Sequence, residues 1–144
     1  MKNPTWLYSI RKCSEQPPHT DNHKPGYTYN RFVKNNTLNK SFPLSAILAV
    51  QEGTYIIGWE KSHLLFQQED NYKGEKLSKK KIQIPLGHIL LFRQDFIHAG
   101  GSYPTNDNLR LFAYFDQNIM TRQKNATATI DFEKQKWSKF LKIN

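Results

Sequence analysis

Residues 84–115 read IPLGHILLFRQDFIHAGGSYPTNDNLRLFAYF, and this stretch decides the fold. It holds three short apolar runs among turn-forming residues. Short apolar runs set between Pro, Gly, Asn and Asp are typical of β-strands joined by tight turns. We therefore predict three strands here, over His88–Phe92, Phe96–Ala99 and Leu109–Phe115.

The rest of the chain carries the same period-two and short apolar patterns, which predict six more strands: Trp6–Lys12, Tyr27–Val33, Leu44–Val50, Tyr55–Trp59, His63–Gln67 and Lys81–Ile84. Many short strands with frequent turns indicate a mainly all-β sandwich or barrel. One helix is predicted from about Thr129 to Lys142, because acidic residues come early, lysines come late, and three apolar residues share a face: Ile130, Trp137 and Leu141.

The length of 144 residues gives room for one domain with one core. We predict a single domain over residues 1–144, with its strands within about 5–116. The predicted helix, at about 129–142, would cover one face of a sheet.

The composition indicates which partners and which cellular compartment to expect. The net charge of +9 raises nucleic acid or an acidic molecule as a possible partner, although the densest basic run, Lys76–Lys81, is also typical of a solvated loop. No apolar run is long enough for a membrane span. Cys13 is the only cysteine, which excludes an internal disulfide and indicates a reducing, intracellular compartment.

The residues that suggest chemistry begin with His19-Thr20-Asp21. In an extended segment, residues two apart point to the same face, so these two side chains can converge on one point. A second histidine, His98, stands far along the chain in His-Ala-Gly-Gly. Two histidines and one carboxylate form the facial triad that holds Fe(II) and leaves coordination positions open.

Arg110 lies in a run that we predict to be buried on both faces, Leu109–Phe115. A buried guanidinium needs an anionic partner, because an unpaired buried charge is costly. Its planar fork fits a carboxylate, and a dicarboxylate cosubstrate would satisfy it.

With these residues in view, the chain resembles the Fe(II)- and 2-oxoglutarate-dependent oxygenases. Residues 84–115 are most similar to the phytanoyl-CoA dioxygenase-like branch, and Leu44–Trp59 (LSAILAVQEGTYIIGW) is similar to the strands that follow His-x-Asp there. The resemblance implies a double-stranded β-helix (a jelly-roll or cupin-like fold). It also implies that His19, Asp21 and His98 bind Fe(II), and that Arg110 binds the distal carboxylate of 2-oxoglutarate.

Two departures keep other functions open. Few residues precede His19, where this family usually has further strands and helices that brace the main sheet. Phe112 stands where a small hydroxyl residue often helps to hold the cosubstrate. The alternatives are a catalytically inactive cupin-like binding or structural module in a larger assembly, and a metal-dependent cupin enzyme that uses no 2-oxoglutarate.

Each site residue also has a structural interpretation. His98 can be a core histidine bonded to the backbone, and His19 and Asp21 can belong to a turn. Arg110 can pair with a structural carboxylate, Asp95 or Asp116. The sequence does not name the prime substrate, whose pocket we expect to be walled by residues 22–41.

Overall fold

The computed structural model describes residues 2–21, 43–63, 77–115, 128–131 and 136–138. These residues form strands: β1 Lys2–Ser9, β2 His19–Thr20, β3 Leu44–Ala49, β4 Tyr55–Trp59, β5 Lys79–Gln83, β6 Ile89–Arg93, β7 His98–Gly100, β8 Asn108–Phe115, β9 Ala128–Asp131 and β10 Lys136–Ser138. The prediction of a mainly β protein is confirmed. Within the described residues, no helix is long and apolar enough to cross a membrane.

The strands form two antiparallel sheets. One has the order β1-β8-β3-β6, and the other has the order β10-β9-β2-β7-β4-β5. From β1 to β8 the chain changes sheet at every connection except the one from β4 to β5. Strands that are distant in sequence therefore become neighbours, an arrangement consistent with the predicted double-stranded β-helix.

The core lies between the two sheets. Ile47 and Ala49 on β3 and Phe112 on β8 pack with Ile56 of the opposite sheet and with Phe92 on β6. Because side chains alternate along a strand, the inward face of β3 carries Ser45, Ile47 and Ala49, all at most 3% exposed. Register places these three opposite Tyr114, Phe112 and Arg110 of β8.

Several predicted strand boundaries agree with the structure and others shift. The Tyr55–Trp59 prediction coincides with β4, and Leu109–Phe115 differs from β8 by one residue. The first strand runs Lys2–Ser9 instead of Trp6–Lys12, because it pairs with β8 along its length and the chain then turns at Lys12, which has φ 65°. Tyr27–Val33 lies outside the described residues.

The strand predicted at His63–Gln67 is wrong where it can be seen, because Ser62 and His63 form a single 3-10 turn. The rest of that range is outside the described residues.

The predicted C-terminal helix is wrong over the residues that the structure describes. Ala128–Asp131 and Lys136–Ser138 are strands that pair with each other, with Trp137 opposite Ile130. β9 also pairs with β2, where His19 lies opposite Thr129. Thr129 and Ile130 are β-branched and suit a strand, and β2 offers an edge whose backbone groups need partners. Residues 132–135 and 139–142 lie outside the description.

Candidate metal centre

The pairing of β2 with β7 brings the three predicted ligands together. His19 is the register partner of His98, and their ring centroids are 4.5 Å apart. Asp21 follows β2, and its backbone N–H donates to the carbonyl of Gln94 at 3.1 Å. The ligand atoms of these three side chains lie within 4.8 Å of one another, and all three side chains are buried.

Backbone carbonyls orient both histidines. Nδ1 of His19 lies 2.8 Å from the carbonyl oxygen of Pro17, and Nδ1 of His98 lies 3.0 Å from that of Phe96. A carbonyl oxygen only accepts hydrogen bonds, so each Nδ1 carries a proton and donates it. In the neutral rings Nε2 is therefore the atom with a free lone pair, which is how a bound partner selects the metal-ligating nitrogen.

Asp21 is held by one oxygen and offers the other. The hydroxyl of Ser45 on β3 donates to Oδ2 of Asp21. Oδ1 lies 3.5 Å from Nε2 of His98 and faces the centre of the group. Ser45 thereby ties the carboxylate to the opposite sheet and leaves a single oxygen for a metal ion.

Electrostatics shift the pKa values of the two histidines in opposite directions. Burial, with the charge of His98, lowers the pKa of His19 to about 4, against a smaller opposing effect of Asp21. Burial by itself would raise the pKa of Asp21 and lower that of His98. Their mutual attraction and hydrogen bonding outweigh burial, so the pKa of Asp21 falls and that of His98 rises. Without a metal, these shifts favour a neutral His19, an ionised Asp21 and a His98 that holds its proton more strongly than a free histidine.

Aromatic rings close one side of the centre. The ring of Phe92 meets that of His98 edge-on at 4.7 Å, and the ring of Phe96 is parallel to it at 6.4 Å. Gly58 is the register partner of His98. A Cβ at Gly58 would lie 2.6 Å from Cζ of Phe96, so the absent side chain makes room for that ring. His98 beside this wall is only 4% exposed.

Arg110 is buried, only 4% exposed, on the inward face of β8. Nη1 donates to Oγ of Ser9 at 2.9 Å and to Oδ1 of Asn108 at 3.4 Å. Its Nε has no hydrogen-bond partner, and its guanidinium lies 5.8 Å from the ring centre of Tyr103. Burial lowers the pKa of Arg110. The guanidinium thus has only neutral hydrogen-bond partners among the described residues.

Of the two carboxylates predicted as alternative partners of Arg110, Asp95 pairs with a different arginine. Asp95 accepts two hydrogen bonds from Arg93, from Nε at 2.8 Å and from Nη2 at 2.5 Å. Asp116 lies outside the described residues. An anion brought by a ligand would supply the charge that Arg110 lacks within the described part of the chain.

The triad and Arg110 lie at different depths between the sheets. Ser45, which bonds Asp21, is opposite Tyr114, and Ala49 is opposite Arg110. Four residues of strand separate these levels, about 13 Å between Cα atoms. Phe112 occupies the intermediate level on the same face as Arg110. A molecule linking the two groups would pass along this aromatic ring.

A cavity of about 420 Å³ lies beside the triad, between β4, β5 and β6. Its apolar lining includes Ile82, Leu90, Phe92 and Phe96, and its other lining residues include Glu60, Lys61, His63, Lys80 and Arg93. Phe92 and Phe96 also contact His98, so one layer of aromatic rings separates the cavity from the candidate metal centre. Residues 22–41, the predicted pocket wall, are outside the described residues.

Sequence reasoning missed several residues that shape this site. Ser45 binds Asp21, the carbonyl of Pro17 orients His19, and the ring of Tyr103 lies against Arg110. Ser45 had a detectable signal, because it is a hydroxyl on an inward face that is otherwise apolar. The role of a carbonyl leaves no trace in side-chain identity.

The donor set suits Fe(II). Two imidazoles and one carboxylate are the ligands of the facial triad, and the second-sphere hydrogen bonds to them are in place. In the part of the chain that the structure describes, these three are the residues grouped closely enough to share a metal ion. A metal ion held by these three alone would keep coordination positions open for ligands from outside the described residues.

Comparison with known proteins supports the fold. No protein-family model and no curated protein matches the sequence. Among solved structures, the chain is similar to the non-heme alpha-ketoglutarate-dependent epimerase SnoN from nogalamycin biosynthesis, with a TM-score of 0.54 and 17% sequence identity. The match covers 90% of this chain and 48% of SnoN, so the chain spans about half the length of SnoN.

At this identity the likeness establishes the fold. The predicted resemblance is confirmed to that extent: a buried His-x-Asp…His group lies within the fold of a non-heme alpha-ketoglutarate-dependent enzyme.

Proposed function

We propose that the protein is an Fe(II)- and 2-oxoglutarate-dependent oxygenase. The observation that carries the proposal is the convergence of His19, Asp21 and His98, each already oriented by a second hydrogen bond. Fe(II) bound there supplies the chemistry by which 2-oxoglutarate and O₂ become succinate and CO₂ while a C–H bond of a second substrate is hydroxylated.

The three ligands have distinct tasks in this function. His19 presents a neutral imidazole, because burial lowers its pKa to about 4. His98 would bind the metal through Nε2, where a divalent cation would replace any proton. Asp21 supplies one negative charge, and Ser45 keeps its second oxygen from the metal.

Arg110 would bind the far carboxylate of 2-oxoglutarate. Its unpartnered Nε is a buried donor whose hydrogen bond is missing, and an incoming carboxylate satisfies it together with the positive charge. The position of Arg110 deep between the sheets suits a cosubstrate that enters lengthwise from the metal. Phe112 then provides an apolar contact for the methylene groups of 2-oxoglutarate.

The cavity behind Phe92 and Phe96 would serve the second substrate only if these two rings moved aside to open a path to the metal centre. Its volume falls within the range typical of small-molecule pockets. Lys80 at its rim pairs with Glu60 at 2.7 Å, and Lys61 has no ion pair among the described residues. This combination favours a substrate with an apolar body and an anionic group.

The test is calorimetric titration of 2-oxoglutarate into the purified protein with and without Mn(II), an inert substitute for Fe(II). We expect binding that depends on the metal and is lost in Asp21→Ala and His98→Ala. His88→Ala is the matched control, because His88 is exposed and stands apart from the site.

Each other outcome selects another function. Binding of Mn(II) without 2-oxoglutarate would refute the cosubstrate role and support a metal-dependent cupin enzyme of another kind. Failure to bind either ligand would overturn the enzyme proposal in favour of a non-catalytic module.

A further inference from the structure

The outward face of the β1-β8-β3-β6 sheet is apolar from edge to edge. One row crosses all four strands through paired positions: Trp6, Leu111, Leu48 and Ile89. Large side chains at its edges are open to solvent, with Trp6 60%, Tyr8 59%, Ile89 60% and Leu91 56% exposed. We call this surface the outer face.

Along β4 and β7, the outward side of the second sheet is mostly buried. Ile57 and Trp59 on β4 and Ala99 on β7 point away from the core and are at most 7% exposed. They form a separate apolar cluster with Ile97, against which Tyr55 and Leu77 pack. Among the described residues, the outward side of β4 and β7 is mostly buried, whereas the edge strands β1 and β6 of the other sheet carry large exposed side chains on their outward side.

The outer face also carries little charge. Its centre carries the small residues Ala46 and Ala113, and larger side chains flank them on β1 and β6. Among the described residues of this face, the charged side chain is Arg93, and it is bonded to Asp95. A surface of this kind offers little that would select a polar or charged partner.

We propose that the outer face packs against the same face of a second copy of this chain, forming a two-fold symmetric dimer. Five exposed side chains (Trp6, Tyr8, Ile89, Leu91 and Phe115) account for about 550 Å² per copy, at ~200 Å² for a fully exposed large side chain. Partly exposed leucines in the middle of the face add to it. The total approaches the ~800 Å² per partner of a stable interface.

Shape and symmetry support a second copy as the occupant. Two sheets packed face to face normally align within about 30° and interdigitate their side chains. An apolar surface of this size lies at the upper end of the range for the largest patch on a monomer, about 300–600 Å², and favours association.

The proposal does not depend on the proposed enzymatic function. Each copy has a net charge of +9, so long-range repulsion opposes the dimer and salt screens it. We therefore expect the dimer to strengthen as the NaCl concentration rises. If association instead depended on attraction between the basic charge and an acidic molecule, it would weaken as the NaCl concentration rises.

The experiment is sedimentation equilibrium of the wild-type protein over a range of concentrations and at two NaCl concentrations. We expect the mass of a dimer for the wild type and a dissociation constant raised about 100-fold by Leu91→Lys, because a two-fold interface buries the new charge twice. Leu86→Lys is the matched control: Leu86 is 48% exposed but lies in the turn between β5 and β6.

Leu91→Lys changes an exposed side chain, and circular dichroism establishes that the variant is folded. A monomeric wild-type protein at every concentration would overturn the proposal. So would open-ended association beyond a dimer, or a dimer equally affected by Leu91→Lys and Leu86→Lys.

Discussion

Replacing Arg110 with methionine separates its proposed role in cosubstrate binding from a role in the fold. Methionine keeps much of the volume of the aliphatic stem and removes the guanidinium. The variant loses the neutral hydrogen bonds to Ser9 and Asn108, each worth about 1 kcal/mol. It also relieves the burial of a cation that has no carboxylate partner among the described residues.

These two effects on stability oppose each other. Breaking a buried ion pair is costly because an unpaired charge remains, but here the unpaired charge itself is removed. Asn108 also keeps its hydrogen bond to Thr54 at 3.0 Å. We expect the free energy of unfolding of the metal-free protein to change by no more than about 1 kcal/mol.

The effect on 2-oxoglutarate is much larger. A guanidinium and a carboxylate form two charge-assisted hydrogen bonds, worth together about 3–5 kcal/mol. The dissociation constant of 2-oxoglutarate should therefore rise by about 10²- to 4 × 10³-fold in Arg110→Met. Arg110→Lys keeps the charge without the fork and should show an intermediate loss.

Calorimetry of the Mn(II)-loaded protein measures the affinity, and urea unfolding of the metal-free protein measures the stability. Arg11→Met is the matched control, since Arg11 is exposed. Unaltered affinity for 2-oxoglutarate in Arg110→Met would refute the cosubstrate role. A lower free energy of unfolding in Arg110→Met, together with an unchanged affinity for 2-oxoglutarate, would show that Arg110 is a structural residue.

Two further predictions concern single hydrogen bonds. Ser45→Ala removes the donor that holds Oδ2 of Asp21 and should weaken Mn(II) binding about 10- to 100-fold. The paramagnetic resonance of free Mn(II) measures this affinity, and an unchanged affinity would contradict the prediction. The hydroxyl of Tyr8 and the backbone N–H of Arg11 hold the pKa of Asp107 below its usual range. Their stabilising effect is present above the unfolded pKa of about 3.9 and is lost as the pH falls through the lower folded pKa. Asp107→Asn should therefore unfold in urea with less dependence on acidic pH than the wild type, and equal dependence in both would refute the assignment.

Local patterns predicted strands best where a strand is long and central. β8 and β4 were located to within one residue, because their apolar residues are buried by both neighbouring strands. β1 was displaced, since its register is set by pairing with β8 and not by its own residues. The C-terminal error has the same origin: the edge of β2, distant in sequence, accepts Ala128–Asp131 as a strand.

The sequence predicted the residues of the candidate site but not the hydrogen bonds that orient them. The spacing of His19 and Asp21 and the Gly-rich segment after His98 indicated a shared centre, and the structure brings these three residues together. The orienting contacts come from carbonyls and from the other sheet, as Ser45 shows. Such contacts depend on tertiary packing, which no local window of sequence contains. The apolar alternation around Arg110 likewise indicated burial but not its neutral partners.

The alternation of side chains along β3 and β8 separates the candidate site from the outer face. Ser45 and Arg110 point inward to the candidate site, while Leu48 and Leu111 point outward to the outer face. A substitution on the outward side therefore changes the interface without touching a group in the site. Ile89→Lys, at a position outside the lining of the cavity, should leave the affinity for Mn(II) unchanged while it dissociates the dimer. If both properties fell together, the sheet would have to be braced by the second copy before it could hold its metal ligands in place.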